Sequence, residues 1–120
     1  MQTKNILVVD DEKDCCDFFK KFLDKHGYSV DIAYNGLQAK HLIEKNQYQY
    51  IFFDCNMPEI TGVELVRIID ELNPKAKKFM ISGYDLIKEE FAKDLGVDEF
   101  LEKPILLETI QKLLEDYEKK

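Results

Sequence analysis

Long apolar runs, paired cysteines and basic charge are all scarce in this 120-residue chain. No apolar run approaches the roughly 20 residues that cross a bilayer. The N-terminal stretch MQTKNILVVDDE turns acidic straight after a short apolar run, which does not fit a secretory signal. There are only three cysteines, Cys15, Cys16 and Cys55. Two are adjacent and the count is odd, a poor basis for a disulfide framework. All three are read as reduced thiols of a cytoplasmic protein. No CxxC pair or histidine cluster accompanies them, which argues against zinc. Repeats, low-complexity tracts and Pro/Gly/Ser linkers are missing too, so residues 1–120 are read as one domain. Basic residues are outnumbered, 17 Lys and Arg against 24 Asp and Glu, for a net charge of −7. Such a surface repels nucleic-acid backbones and anionic lipid, so direct binding of either is not expected. Divalent cations and basic protein partners are favoured for the same reason.

What is present is enough to build a core. Hydrophobic residues make up 45% of the chain, with eight Phe and six Tyr, which excludes global disorder. Short β-branched or aromatic runs alternate with longer amphipathic ones. Asn5 to Val9 reads as a continuous apolar strand. Glu12 to His26 reads as a helix with Cys15, Phe18, Phe19, Phe22 and Leu23 at helical spacing, the three phenylalanines assigned to the core, and Gly27 past its last turn. Ser29 to Tyr34 reads as strand, Asn35-Gly36 as turn and Leu37 to Lys45 as helix. Tyr50 to Phe53 is a second continuous apolar strand, ending at Asp54. Leu65, Ile68, Ile69 and Leu72 mark a helix face stopped by Asn73-Pro74. Lys78 to Ile81 reads as strand, Ile87 to Leu95 as a shorter helix ending near Gly96, and Glu99 to Leu101 as a short strand. Leu106 to Tyr117 reads as the last helix, with Leu106, Leu107, Ile110, Leu113, Leu114 and Tyr117 on its inner face.

Five strand–helix units with continuous apolar strands imply a sheet covered on both faces. With right-handed crossovers and short loops this is an α/β, doubly wound parallel sheet. Ligand sites in such folds lie outside the carboxyl ends of the strands. The loops leaving those ends carry Asp10-Asp11-Glu12, Asp54-Cys55-Asn56-Met57-Pro58, Ser82-Gly83 and Lys103-Pro104. Carboxylates, a hydroxyl and an ammonium therefore converge on one edge. Converging carboxylates repel, and a cation among them offsets the repulsion. Mg²⁺ takes oxygen ligands and keeps several waters, so it suits a few carboxylates plus a backbone carbonyl. A carboxylate can also attack phosphorus, giving an aspartyl phosphate, and the equatorial oxygens then need charge neutralisation.

Taken together, Val8-Val9-Asp10-Asp11-Glu12, Phe53-Asp54-Cys55-Asn56-Met57-Pro58, Gly62, Ser82-Gly83-Tyr84 and Phe100-Leu101-Glu102-Lys103-Pro104 resemble the receiver domain of two-component response regulators. The resemblance covers nearly the whole chain. It implies a flavodoxin-like fold of five parallel strands in the order 2-1-3-4-5 with five helices. It implies that Asp54 is the phosphoacceptor, with Mg²⁺ (Mn²⁺ the alternative) held by Asp10, Asp11, Asp54 and the backbone carbonyl of Asn56. Asp11 would bind directly and Asp10 partly through water. Lys103 would pair with Asp54 and later with a phosphoryl oxygen, and Ser82 would hydrogen-bond the phosphoryl group. Phe100 matches the switch aromatic whose rotamer follows Ser82. Asn56 and Tyr84 stand at positions that tune phosphoryl lifetime, and the Lys103–Pro104 bond resembles the family's cis peptide. The expected partners are a histidine kinase or phosphotransfer protein, and an output protein or C-terminal output domain. The chain would catalyse only its own phosphorylation and dephosphorylation. There are departures: Ser82 replaces a frequent Thr, Phe100 lacks the hydroxyl of a Tyr, and Thr61 stands where an Asp is frequent.

Each fragment has a plainer reading. Asp10-Asp11 alone could be a solvated helix start, and Asn56-Met57-Pro58 or Lys103-Pro104 ordinary turn chemistry. Those readings must hold together at four strand ends, which weighs against them. His26 and His41 read as surface residues away from the acidic cluster, and Cys55 as pointing away from Asp54. Two rivals differ in kind. A small Mg²⁺-dependent phosphatase with an Asp nucleophile wants an acid two residues on, where Asn56 stands. A phosphorylation-independent binding scaffold should lack part of the acidic set or the lysine, and neither is missing. Met1 favours an N-terminal receiver, either stand-alone or part of a longer protein.

Overall fold

A computed structural model describes residues 4–54, 60–83 and 89–119. Its strands are β1 (Lys4–Val9), β2 (Tyr28–Ala33), β3 (Tyr50–Asp54), β4 (Lys77–Ser82) and β5 (Glu99–Glu102), and its helices are α1 (Lys13–Lys25), α2 (Gly36–Lys45), α3 (Gly62–Leu72), α4 (Glu89–Asp94) and α5 (Leu107–Glu118). The strands form one parallel sheet in the order β2-β1-β3-β4-β5.

Successive side chains of a strand point to opposite faces, and both faces of this sheet are covered. From β1, Leu7 and Val9 join one core with Ile51 and Phe53 of β3, Met80 of β4, Ala39 and Ile43 of α2, and Leu65, Val66 and Ile69 of α3. Ile6 and Val8 join the other core with Phe52, Phe79 and Ile81, against Cys16, Phe19 and Leu23 of α1 and Ile110 and Leu114 of α5. This is why β1 and β3 read as unbroken apolar runs. Phe52, Phe53 and Phe79 are fully buried, each worth about 1.5–3 kcal/mol relative to exposure.

Local chemistry sets the helix ends. Asn35 caps α2, its Oδ1 accepting from the Gln38 N–H at 2.8 Å, while Gln38 Oε1 accepts from the Tyr34 N–H at 2.8 Å. Thr61 caps α3 by accepting from the Glu64 N–H at 3.2 Å. Gly36 is more than a turn residue, because a Cβ there would lie 2.3 Å from Ile60 Cβ. Gly27, just after α1, sits at φ +87°, a conformation glycine adopts without penalty.

Two helix faces differ from the sequence reading. In α1 the buried residues are Cys16, Phe19 and Leu23. Cys15 and Phe22 are only half-buried, and Phe18 is 64% exposed. The inward stripe is thus rotated by about one residue, since one 3.6-residue turn cannot bury both Phe18 and Phe19 on a narrow contact. In α5, Leu106 is the N-cap and is 64% exposed, whereas Ile110 and Leu114 are buried. Residues 84–88 lie outside the described residues, and with them the expected start of α4.

Candidate functional site

The carboxyl ends of β1, β3, β4 and β5 meet at one edge of the sheet. Asp10 follows β1 directly, and its N–H continues the ladder by donating to the Ala33 carbonyl at 3.1 Å. Asp54 is the last residue of β3 and Ser82 the last of β4. Lys103 follows β5, with its N–H donating to the Ser82 carbonyl at 2.9 Å. The Lys103–Pro104 peptide is cis. Asp10, Asp54 and Ser82 are all buried, at 2%, 5% and 2% exposure, an unusual depth for carboxylates without a counter-charge.

Lys103 supplies that charge. Its Nζ donates to Asp54 Oδ2 at 2.8 Å and lies 3.2 Å from Asp10 Oδ2 and 3.5 Å from Glu12 Oε1. Partial burial by itself lowers the pKa of the ammonium. The hydrogen bonds and charges of Asp54 and Asp10 outweigh that and raise it above the ordinary lysine value. Lys103 is therefore a fixed cation at any physiological pH. The other Asp10 oxygen, Oδ1, accepts from the Glu12 N–H at 3.1 Å.

Asp10, Asp11 and Glu12 form the acidic group, with ligand oxygens all within 4.8 Å of one another. Asp11 and Glu12 are exposed and Asp10 is buried. The donor set is oxygen only, and its charge is strongly negative, so it fits a hard divalent cation. Cys16 Sγ donates to the Asp10 carbonyl at 3.3 Å. Burial and the Asp10 charge push its thiol up to about 12, so it supports the loop and is chemically quiet.

A family model described as the response regulator receiver domain matches residues 6–115. The chain belongs to that family. Among curated relatives of this receiver is the response regulator MprA of Mycobacterium sp. (strain KMS), 32% identical over 106 residues, covering 88% of this chain and 46% of that protein. The receiver thus spans just under half the length of such relatives. Among solved structures, a CheY-like receiver domain protein from Methanospirillum hungatei JF-1 is 33% identical with a TM-score of 0.86, covering 98% of both chains. A response regulator protein from Burkholderia pseudomallei, solved with a phosphorylated aspartic acid, calcium ion and citrate, is 28% identical with a TM-score of 0.83, covering 90% of this chain and 64% of that one.

The receiver fold brings Asp10, Asp54 and Lys103 into direct contact, with Asp11 in the same acidic group and Ser82 joined to Lys103 through the backbone. Phe100 is partly buried against the core shared with α2, α3 and α4, in register with Met80 of β4. Asn56, Tyr84 and Cys55 lie outside the described residues. Two members of the site had no role assigned from the sequence, although Glu12 stood in the strand-end acidic motif. Glu12 reaches Lys103, and Cys16 holds the Asp10 carbonyl. A signal for Cys16 existed, since Cys16, Phe19 and Leu23 form an alternative i, i+3, i+7 phase of the helix.

Proposed function

We propose that residues 1–120 act as one receiver that accepts a phosphoryl group on Asp54 and passes the change to a protein-binding surface. The observation that carries this reading is the Lys103 ammonium, held by two buried carboxylates from the ends of different strands. A buried, paired Asp beside a permanent cation is what an acceptor of negative phosphoryl charge requires.

The donor is a phosphohistidine on a kinase or phosphotransfer protein. Its P–N bond breaks as the Asp54 oxygen–phosphorus bond forms, and the imidazole leaves. Lys103 then pairs with a phosphoryl oxygen, while the Ser82 hydroxyl donates to another. Asp10 and Asp11, joined by Asp54 and the Asn56 carbonyl, would hold Mg²⁺ or Mn²⁺. Bound there, the ion neutralises negative charge on the phosphoryl oxygens. Phosphorylation adds about −1.5 to −2 charge at pH 7. Drawing Ser82 toward that charge vacates space, and Phe100 moves from the partly buried position it holds on β5. The face of α4, β5 and α5 then presents a different surface to an output partner. Asn56 and Tyr84 would set how long the phosphoryl group lasts. Cys15 and Cys16 are free thiols, which supports a cytoplasmic site of action. No helix among the described residues is long and apolar enough to cross a membrane.

The test is mass spectrometry after mixing the chain with a small phosphodonor and Mg²⁺. The expected outcome is one added phosphoryl mass, absent from Asp54→Ala. If Asp54→Ala gains the mass at the wild-type rate, the acceptor is elsewhere.

A further inference from the structure

Neither oxygen of Asp10 is idle. Oδ1 accepts from the Glu12 N–H at 3.1 Å, and Oδ2 faces the Lys103 ammonium at 3.2 Å. The same ammonium holds Asp54 Oδ2 at 2.8 Å. A divalent cation that uses Asp10 and Asp54 must therefore compete with a cation that belongs to the chain. Two positive centres cannot share those oxygens without strong repulsion at such distances.

The surroundings show where the lysine tip can go. Glu12 Oε1 is already 3.5 Å from Nζ and its side chain is 68% exposed, so it is the outermost of the three carboxylates around the ammonium. Glu12 and Lys103 together line a cavity of about 390 Å³ between the start of α1 and the loop after β5. The lysine stem runs along Gly83, whose missing Cβ would lie 3.5 Å from Lys103 Cδ and 3.6 Å from its Cβ. The glycine leaves the stem free of side-chain crowding on that side, and the tip borders open volume on the Glu12 side.

We propose that Lys103 is a resident counter-ion which a divalent cation must push off Asp10, and that Glu12 is the positioning residue that receives the displaced ammonium. The proposal rests on the reading of Asp10, Asp11 and Asp54 as the cation site. The exchange keeps the lysine beside the site, partnered and charged, ready for an incoming anion. Cation affinity is thereby set by a lysine–carboxylate exchange as well as by the ligands.

The test is calorimetric titration with Mg²⁺ at fixed ionic strength on the wild-type chain, Lys103→Met, Glu12→Gln and the double variant, with thermal melts confirming that each is folded. Lys103→Met should bind Mg²⁺ about tenfold more tightly, because a unit charge close to the ion is removed. Glu12→Gln should bind it several-fold more weakly when Lys103 is present, and nearly unchanged in the Lys103→Met background. Unchanged affinity in Lys103→Met overturns the displacement. An equal loss from Glu12→Gln in both backgrounds overturns the hand-over and makes Glu12 an ordinary ligand. A wild-type chain that binds no Mg²⁺ but still takes phosphoryl on Asp54 overturns the cation site itself.

Discussion

Lys103 and Asn73 show how much a single buried polar group decides in this chain. Asn73 caps α3 and is 1% exposed. Its Oδ1 accepts from the Tyr48 N–H at 2.7 Å, and its Nδ2 donates to the carbonyls of Ile43, Asn46 and Leu72 at 3.2, 3.1 and 3.0 Å. One side chain thus ties the end of α2, the approach to β3 and the end of α3. Asn73→Ala orphans a buried N–H and should cost about 1–3 kcal/mol, read as a lower urea midpoint at unchanged slope. A shift too small to measure would mean that water replaces the amide. For Lys103 the expected loss is kinetic. Lys103→Ala should slow phosphorylation by a small phosphodonor about 10²-fold at saturating Mg²⁺, and a rate near wild type would remove the lysine from the chemistry.

At the scale of an element, α1 offers a controlled comparison. Phe18 and Phe19 are neighbours with the same side chain, yet Phe18 is 64% exposed and Phe19 is 4% exposed. Phe19 packs on Phe52 with ring centroids 5.0 Å apart. Phe19→Ala should therefore cost about 3–5 kcal/mol, while Phe18→Ser should stay within about 0.5 kcal/mol. Chemical denaturation of both variants checks the helix phase, and equal losses would show that the stripe includes Phe18. The periodicity of α1 is plain in the sequence, but its phase is not. Four large apolar residues (Phe18, Phe19, Phe22 and Leu23) crowd two adjacent stripes, and only contact with the sheet selects one.

Across the whole molecule, three tyrosines seal the sheet to its surroundings through carboxylates. Tyr48 donates to Asp31 Oδ2 at 2.7 Å, Tyr28 to Glu118 Oε1 at 2.6 Å and Tyr117 to Glu99 Oε2 at 2.9 Å. Burial, then the adjacent carboxylate, raises each phenol above its ordinary value of 10.0. A raised folded-state pKa contributes stability that is complete below the unfolded value and is lost as pH climbs toward the folded one. The folded state should therefore be insensitive to these groups near neutrality and lose stability steeply above about pH 10. Urea midpoints measured against pH check this, together with phenolate absorbance. Titration of all six tyrosines near pH 10 in the folded chain would contradict it.

The order of elements, the two-faced burial of β1 and β3, and the acidic, hydroxyl and ammonium groups at the strand ends were all legible in the chain. They are local properties, carried by residue type and by periods of 2 and 3.6. The pairing of Lys103 with Asp54, residues 49 apart in sequence, was expected from the resemblance to receivers and from no periodicity, and the further contacts of Lys103 with Asp10 and Glu12 follow no periodic rule either. The same holds for Asn73, whose four bonds no turn preference foretells, and for the outward face of Leu106. Ion pairs and buried hydrogen bonds depend on ångström-scale separations that arise only when the strands are set side by side. Local pattern therefore decided which groups this protein owns, and tertiary packing decided which of them touch.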